Sequence, residues 1–308
     1  MPHQDVLSEV FSTLRMNGSL YFRALLRGDY AVEVPRERRS VRFHLVRQGR
    51  CHVQVPGEPP LALEAGEMAI IPDGESQVLS SRPGLRPVSL PELLAAHPVK
   101  DGCLELGRDG DEVSLVCGYC VFDESVDHPV LTSLPKCIAI RQRELSGEPW
   151  ARAALELLSS EAELEGPGMT GILARMLEIV FMQVVRRISV GEERPEGFLA
   201  ALRDASLSRA LHAIHDRPQH AWTVESLAVQ AEMSRARFAD QFMEKIGVPP
   251  ITYLTRWRLA KARDLLARTN HGLEEIAHRC GYSSGASFSR RFKLEYGLGP
   301  GAYRKERT

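Results

Sequence analysis

The spacing of apolar residues changes along this chain, and each change predicts a different kind of structure. Residues 1 to about 20 have a helical period. From Leu20 to about Phe122, short alternating apolar and polar runs are separated by glycines and prolines, which is typical of strands joined by tight turns. From Trp150 to Val190 the period becomes helical again. The pattern predicts a compact antiparallel β-barrel or sandwich, followed by a helical element.

A charged stretch containing Gly and Pro, GEERPEG at 191–197, separates this region from a wholly helical remainder. We therefore expect an α+β protein with three parts. They are an N-terminal domain at residues 1–190, a linker at 191–206 and an all-α domain at 207–308.

Two segments of the helical remainder resemble each other, Val224 to Phe242 and Leu273 to Phe292. The matching positions, at an offset of 49 and then of 50 after one inserted residue, are Leu227 with Ile276, Ala228 with Ala277, Ala231 with Cys280, Met233 with Tyr282, Ser234 with Ser283, Phe238 with Phe288 and Phe242 with Phe292. The repeat combines a small residue where two helices cross, a serine that can cap the second helix, and two buried Phe side chains four residues apart. It predicts tandem helix-turn-helix units at about 224–245 and 273–295, with Ser234 and Ser283 as N-caps.

An apolar helical stripe from Ile251 to Arg268 is expected to form a rigid spacer helix between the two units. Held by this spacer, the second helix of each unit could enter successive major grooves about 34 Å apart. Their outer faces carry small residues, which allow close approach, and arginines, which bond guanine edges or phosphates. The alternative is a purely structural helical bundle, which two units in register and a basic outer face argue against.

Charge is divided unevenly along the chain. From Leu207 to Thr308 there are 17 Lys and Arg residues and 10 Asp and Glu residues. Residues 1–206 contain 22 basic and 30 acidic residues, so the net charge of the whole chain is only −1. A basic block joined to an acidic one predicts that only the basic part meets nucleic acid. We expect a cytoplasmic protein with no membrane partner, because there is no run of about 18 uncharged apolar residues and no secretion signal.

The segments WTVESLAVQAEMSRARF, GVPPITYLTRWRLAKARDLL and IAHRCGYSSGASFSRRFKLEYGLGPGAYR closely resemble the AraC/XylS DNA-binding domain, over about Leu207 to Tyr303. The resemblance implies a transcription regulator in which the second helix of each unit contacts bases while nearby Lys and Arg hold phosphates. Asp240 is acidic where relatives often carry a basic residue, and it could accept from cytosine N4. The candidate DNA-contacting residues are Ser234, Arg235, Ala236, Arg237, Ala239, Asp240, Ser284, Gly285, Ala286, Ser287, Ser289, Arg290 and Lys293.

The segment GEMAIIPDGESQ, Gly66 to Gln77, resembles a motif of the cupin barrel, which precedes many AraC-type domains. The resemblance implies a sensor domain. Gln77 stands where cupins normally place a His ligand, and Gln is a poor ligand for transition metals. We therefore expect no metal and no cofactor. His44, on a nearby strand, is either a hydrogen-bonded core histidine or an effector contact, and with Gln77 it belongs to the candidate effector site.

Cys117 and Cys120 form a C-x-x-C motif within a strand-like run, EVSLVCGYCVF. Such a pair can chelate zinc or act as a thiol switch. However, residues three apart on a regular strand face opposite sides, unless Gly118 forms a bulge. Two buried structural thiols are the alternative.

The helices at 150–188 present a wide apolar surface, which favours dimerisation, with packing against the barrel as the alternative. We expect a homodimer bound to double-stranded DNA, a small-molecule or oxidant effector, and RNA polymerase as a further candidate partner. Activation is the tendency of the resembled family. Two alternatives remain, a cupin enzyme with an appended DNA-binding domain and a DNA-repair methyl acceptor, although the β-rich pattern argues against the latter. We otherwise expect no enzymatic activity.

Overall fold

The computed structural model describes residues 5–14, 16–122, 128–142, 149–164, 166–191 and 195–306. The chain divides into two compact units. The described residues of 16–123 and 134–185 form one, called here the sheet unit. Those of 1–15, 124–133 and 186–308 form the other, the helical unit. Every helix in the described parts is too short or too polar to cross a membrane.

The sheet unit consists of strands with three helices. Its strands are β1 (Asn17–Arg27), β2 (Ala31–Val34), β3 (Ser40–Gln48), β4 (Arg50–Gln54), β5 (Leu61–Glu64), β6 (Met68–Ile71), β7 (Gln77–Ser80), β8 (Val88–Ser89), β9 (Cys103–Leu106), β10 (Glu112–Val121) and β11 (Ile138–Ile140). Its helices are α2 (Leu90–Ala96), α4 (Pro149–Glu163) and most of α5 (Met169–Val190).

The strands form two separate sheets. One has the order β11-β6-β3-β10-β1-β9 and the other β5-β4-β7-β2-β8. The predicted antiparallel barrel is therefore wrong, because the two sheets are not joined into one. The strands are also not all antiparallel, since β9 pairs with β1, and β8 with β2, in parallel. Long connections separate the partners of both parallel pairs, since parallel neighbours need a crossover rather than a tight turn.

The core of the sheet unit lies between the two sheets, where both contribute inward-facing side chains. Strand β3 is buried along most of its length, because α4 and α5 cover the outer face of its sheet. Gly118 of β10 shows how close this packing is, since a side chain there would collide with Leu177 of α5. Alternation along β10 therefore points even-numbered positions at α5 and odd-numbered ones, including Cys117, into the core.

The helical unit is built from short helices with apolar inner faces. They are α1 (Val6–Leu14), α3 (Pro129–Thr132), the end of α5, α6 (Gly197–Arg203), α7 (Ala205–Asp216), α8 (Val224–Gln230), α9 (Arg235–Ile246), α10 (Pro250–Arg268), α11 (Leu273–Arg279), α12 (Gly285–Tyr296) and α13 (Pro300–Glu306). The structure differs from the predicted linker at 191–206, because α6 lies within it and buries Phe198 and Leu199. The burial of these apolar side chains favours a packed helix, although charged, Gly and Pro residues precede it.

Two stretches far from the C-terminal helices in sequence belong to the helical unit, α1 and the α3 segment at 128–133. A buried chain of polar groups ties them to it. His128 caps α3 through Nδ1 and faces the Tyr253 hydroxyl with Nε2 at 3.4 Å. That hydroxyl lies 2.8 Å from Nε2 of His215, and Glu9 of α1 binds Lys261 at 3.3 Å. The helical unit thus extends beyond the predicted 207–308.

Candidate nucleic-acid interface and sensor cavity

The two predicted repeats fold into helix pairs, α8 with α9 and α11 with α12, joined by turns of the same geometry. The N–H of Met233 donates to the Ala228 carbonyl at 3.0 Å, and that of Tyr282 to Ala277 at 2.9 Å. Each turn needs one residue in the left-handed region, Glu232 with φ of 54° and Gly281 with φ of 79°. The offset of 49 between these pairs matches the sequence repeat.

The second helix of each pair is capped by a serine, although the capping residue differs from the prediction in one pair. Ser234 Oγ accepts from the Arg237 N–H at 3.4 Å, as predicted for α9. In α12 the cap is Ser284, which accepts from the Ser287 N–H at 3.2 Å, while Ser283 is exposed in the turn. The predicted cap at Ser283 is wrong because the inserted residue lengthens the second turn before the cap.

The paired phenylalanines anchor each second helix, as predicted. Phe238 and Phe242 are fully buried with ring centroids 5.5 Å apart, and Phe288 and Phe292 repeat this arrangement with the same separation. Burying one face of each helix leaves the opposite face to solvent.

Most of the candidate contact residues lie on these outer faces. The exposed ones are Ser234, Arg235, Ala236, Arg237, Asp240, Ala286, Arg290 and Lys293, and the half-buried ones are Ala239, Ser284, Ser287 and Ser289. Gly285 is an exception: it is buried, and its N–H donates to Glu274 Oε2 at 2.9 Å. A side chain at Gly285 would collide with that carboxylate, so glycine serves packing there rather than an open groove-facing position.

Two acidic residues at the helix starts were absent from the sequence prediction. Glu274 occupies the N-terminal end of α12 through its bond to Gly285. Glu225 of α8 pairs with Arg235 of α9 at 2.5 Å, with both side chains more than half exposed. An exposed ion pair of this kind contributes little free energy, so it orients the Arg235 side chain without fixing it. Glu225 and Glu274 lie in the first turns of α8 and α11 and are 49 residues apart, which is the offset of the repeat. This match was the sequence signal that could have identified them.

Two arginines outside the helix pairs, Arg258 of α10 and Arg209 of α7, bond carbonyls of the segments that flank the first helix of the first pair. The Arg258 guanidinium donates to the carbonyls of Pro218 and His220 at 2.6 and 2.7 Å, next to Gly281. Arg209 likewise donates to the carbonyls of Gln230 and Ala231 at the end of α8. These arginines are part of the framework and not of the outer face.

In the sheet unit, three of the four candidate sensor residues come together. His44 is buried, with Nδ1 3.3 Å from Cys117 Sγ and Nε2 3.2 Å from the Gln77 amide nitrogen. Gln77 is fully buried, and its Oε1 has no hydrogen-bond partner among the described residues. The orientation of a side-chain amide is assigned from its hydrogen-bond network. Rotating the Gln77 amide by half a turn would let its Oε1 accept a hydrogen bond from a protonated Nε2 of His44.

Cys120 lies apart from this group. Its neighbour across the fold is Glu178 of α5, whereas Cys117 belongs to the core between the sheets. The β10–β3 register runs without a shift from Cys117 to Cys120, so Gly118 introduces no bulge there. The two thiols therefore face opposite sides of the strand.

A small cavity, partly open to solvent, lies beside His44 and Cys117. Its other walls are mostly apolar and are formed by Tyr21, Phe22, Ala24, Leu26, Val32, Val34, Arg42, Leu79, Leu90, Leu104 and Leu115. Arg42, which the sequence prediction omitted, is buried and bonded to Glu37 at 2.9 Å. Alternation on β3 was its sequence signal, since Arg42 and His44 are two residues apart.

Burial controls protonation around this cavity. It lowers the pKa of His44 to about 3, with a smaller contribution from Arg42, so the imidazole is neutral at pH 7. Burial also raises the pKa of the Cys117 and Cys120 thiols to about 12. Because the thiolate is the reactive form, neither sulfur is activated for oxidation. No cluster of three metal-ligating side chains occurs within the described ranges.

Comparison with known proteins agrees with this geometry. The cupin family model matches residues 5–189, and a helix-turn-helix domain model matches residues 227–306. The HTH-type transcriptional regulator AlkR of Acinetobacter baylyi is 29% identical, covering 98% of this chain and 99% of that protein. A putative AraC-like transcription regulator of Streptomyces lividans is 31% identical over 99% of both chains.

The RCS-specific transcriptional activator RclR of Escherichia coli is 27% identical, covering 98% of this chain and 97% of that protein. Among solved structures, the DNA-binding domain of AdpA in complex with a target DNA is 30% identical, with a TM-score of 0.32, covering 33% of this chain and 92% of that one.

A sheet-rich cupin region ahead of a helix-turn-helix domain defines a DNA-binding transcriptional regulator. The chain belongs to the AraC-like transcription regulators that carry an N-terminal cupin domain. The resemblance found in the sequence is thereby confirmed.

Proposed function

We propose that this regulator is effector-responsive and binds two successive major grooves per subunit through α9 and α12. The observation that carries this proposal is the repeated turn geometry, with the start of each second helix exposed. The spacer helix α10 packs against both pairs. Two recognition helices fixed in this way suit DNA contacts about one helical turn apart.

Within each recognition helix, the residue types suggest a division of roles. Ala236 and Ala286 are small and allow the helix backbone to approach base edges. Arg237 and Arg290 are exposed and suit bonds to guanine or phosphate, while Lys293 suits phosphate alone. Specificity should therefore depend on the arginines, and salt sensitivity on all the basic side chains.

Equilibrium binding to a DNA site selected from a random pool tests the division of roles. We expect Arg290→Ala to weaken specific binding by about 1–3 kcal/mol, the range for a base-contacting arginine. Arg86→Ala, an exposed arginine of the sheet unit, is the matched control and should leave affinity unchanged. Affinity should also fall steeply with salt. If the Arg290 variant bound DNA with unchanged affinity, Arg290 would not be a contact residue. If DNA affinity did not change with salt concentration, the basic face would not be the contact surface.

The cavity beside His44 is proposed to be the effector site, and the effector is proposed to be a small apolar molecule rather than an oxidant. The apolar walls support this choice, with His44 supplying a neutral polar group. The separation of Cys117 from Cys120, and the raised pKa of both thiols, argue against a disulfide switch between them.

A footprint on DNA upstream of the protein's own reading frame, with reduced and briefly oxidised protein, separates the two effector classes. The proposal predicts the same protected region in both states. Protection that shifts on oxidation and returns with reductant would favour the thiols instead. Cys117→Ala and Cys120→Ala would then show which sulfur is responsible.

The chain itself offers a route from the cavity to the DNA-contacting helices. Strand β1 follows α1 directly, and β10 leads to the α3 segment, while β1 and β10 pair from Asn17 with Val121 onward. Both α1 and the α3 segment belong to the helical unit. We propose that an effector displaces β1 and β10 and so changes how α1 and the α3 segment pack on α7 and α10.

Dimerisation through α4 and α5 is proposed from the apolar side chains left exposed on them. Ile172 and Ile179 are seven residues apart on one face of α5 and about half exposed, and Leu157 of α4 is 60% exposed. Analytical ultracentrifugation of Ile172→Glu/Ile179→Glu should give a monomer where the unaltered protein gives a dimer. Val229→Glu, which changes another exposed apolar residue, is the control. A dimer that persists in the double variant would exclude this face.

A further inference from the structure

The first residue of each recognition helix is contacted by an acidic residue from the helix before it. Arg235 begins α9 and Gly285 begins α12, and each directly follows the serine that caps its helix. Oε1 of Glu225 lies 2.5 Å from Nε of Arg235, and Oε2 of Glu274 accepts from the Gly285 N–H at 2.9 Å. Because the two acidic residues are 49 residues apart, the same contact recurs at equivalent positions of the repeat.

The two repeats differ in the group that the carboxylate contacts. Gly285 has no side chain, so Glu274 bonds its backbone N–H instead. In α9 the contact is made to the guanidinium of Arg235, whose side chain remains 69% exposed. The first unit therefore has a basic side chain at the start of its recognition helix, held beside a carboxylate, where the second unit has a glycine.

Glu225 is itself held in place. Its own backbone N–H and the Thr223 hydroxyl donate to its carboxylate, and these bonds, together with the nearby Arg235, keep the pKa of Glu225 below its ordinary value. The carboxylate is consequently charged at pH 7. Thr223 is the N-cap of α8 and accepts from the Ser226 N–H at 3.1 Å, which fixes the start of that helix.

The pair meets through Nε of Arg235, and this determines which edge of the guanidinium can contact DNA. The two terminal nitrogens carry N–H groups directed away from Nε. The O6 and N7 atoms of guanine can accept from both terminal nitrogens at once, and so can two oxygens of a phosphate. Geometry alone therefore allows either partner.

The charge of Glu225 distinguishes these two partners. A phosphate bound to Arg235 would lie close to a second negative charge, which is unfavourable, whereas the guanine edge is uncharged. In water an exposed ion pair has little effect, but DNA displaces water from the interface and strengthens charge interactions there. A guanine is therefore favoured over a phosphate as the partner of Arg235.

We infer that Glu225 is a specificity-determining residue, which directs Arg235 to a guanine in the major groove and away from the phosphate backbone. The inference rests on the proposed function, because it requires α9 to lie in the groove with Arg235 facing DNA. The second unit, with Gly285 at the equivalent position, should lack this guanine contact.

Replacing single guanines by 7-deazaguanine, which lacks the N7 acceptor, tests the inference with full-length protein and a DNA site selected from a random pool. At the guanine read by Arg235, the replacement should weaken binding by the unaltered protein about 5-fold, since one bond of a bidentate pair is lost. It should have no effect on binding by Arg235→Ala. In Glu225→Gln, which keeps an oxygen beside Nε but removes the charge, the effect of the replacement should shrink.

The same variant should bind mixed-sequence DNA more tightly, because phosphate contacts dominate binding there. The ratio of the affinity for the selected site to that for mixed-sequence DNA should fall roughly 3-fold, a part of the discrimination that one base contact provides. Glu244→Gln removes the same charge from an exposed position of α9, so this matched control should leave the ratio unchanged.

The outcomes separate this inference from the proposed function. An unchanged ratio in Glu225→Gln, or an equal fall in Glu244→Gln, would overturn the role of Glu225 while the contact of Arg235 with DNA stands. If Arg235→Ala bound both DNAs as the unaltered protein does, Arg235 would not be a DNA contact, and the inference would fail with it.

Discussion

The hydroxyls of Ser283 and Ser284 are adjacent in sequence but differ in what they contact. Ser284 Oγ accepts from the Ser287 N–H, which satisfies one of the unpaired donors at the start of α12. Ser283 is exposed in the turn. A residue's role at the interface is thus decided by its position relative to the helix start, and a one-residue shift changes it.

This difference gives a sharp test at the residue scale. Ser284→Ala should lower the free energy of unfolding by about 1 kcal/mol, the usual cost of losing a helix cap. Ser283→Ala, the matched control, should change it by much less. Urea unfolding of both variants measures the difference. If Ser283→Ala were the more damaging substitution, the cap would lie where the sequence repeat placed it.

Several residue-scale features were predictable, and the reasons are physical. The burial of the Phe pairs followed from helical periodicity, and a buried, hydrogen-bonded His44 was one of the two predicted roles of that residue. Gly285 was mispredicted because an exposed small residue and a glycine packed against Glu274 are indistinguishable in sequence. The cupin resemblance grouped His44 with Gln77, whereas the contact of His44 with Cys117 depends on strand register, which a single sequence does not specify.

At the scale of elements, the turn between α11 and α12 depends on one glycine. Gly281 has φ of 79°, and a Cβ there would lie 2.8 Å from both the Gln219 Cα and an Arg258 nitrogen. Gly297, which ends α12, has φ of 76° with nothing within 4 Å of such a Cβ. The two positions share the backbone strain and differ in crowding.

Gly281→Ala should therefore destabilise the protein more than Gly297→Ala. The control variant should cost on the order of 1 kcal/mol from backbone strain alone, and Gly281→Ala should cost about 1–3 kcal/mol more, because backbone atoms must move. Thermal unfolding ranks the two. Equal melting temperatures would mean that the turn is not packed against α10 in the way described.

The strands were largely predictable as elements, but their assembly was not. Alternation and turn residues indicated the strands, because each has a buried face. Closure into a barrel and the parallel pairs of β8 and β9 depend on how the long connections that lead to these strands run across the two sheets. No local pattern encodes that path.

At the scale of the whole molecule, the two units do not follow the order of the sequence. The cupin match runs over residues 5–189, yet α1 and the α3 segment belong to the helical unit. Periodicity predicted these segments only as local structure, because their partners lie more than a hundred residues away, as in the bond of Arg263 to the Thr13 carbonyl.

Buried neutral histidines in both units make overall stability sensitive to pH. Burial lowers the pKa of His44 and of His128 from 6.5 to about 3, so on acidification the unfolded chain binds protons first. Stability should therefore decline as pH falls from about 6.5 towards 3, by about 2 kcal/mol for each histidine at pH 5. Urea unfolding at pH 7 and 5 measures this decline.

His44→Gln should reduce the decline between these two pH values, whereas His278→Gln, an exposed position, should leave it as in the unaltered protein. A decline of the same size in the His44 variant would show that this ring is not buried in its neutral form.

Guanine methylation interference on a selected DNA site tests most directly whether α9 and α12 occupy successive major grooves. For each subunit we expect two clusters of interfering guanines, about 10 base pairs from centre to centre. Arg290→Ala should weaken interference in one cluster, and Arg237→Ala in the other. A single cluster per subunit, or loss of the same cluster in both variants, would contradict the account.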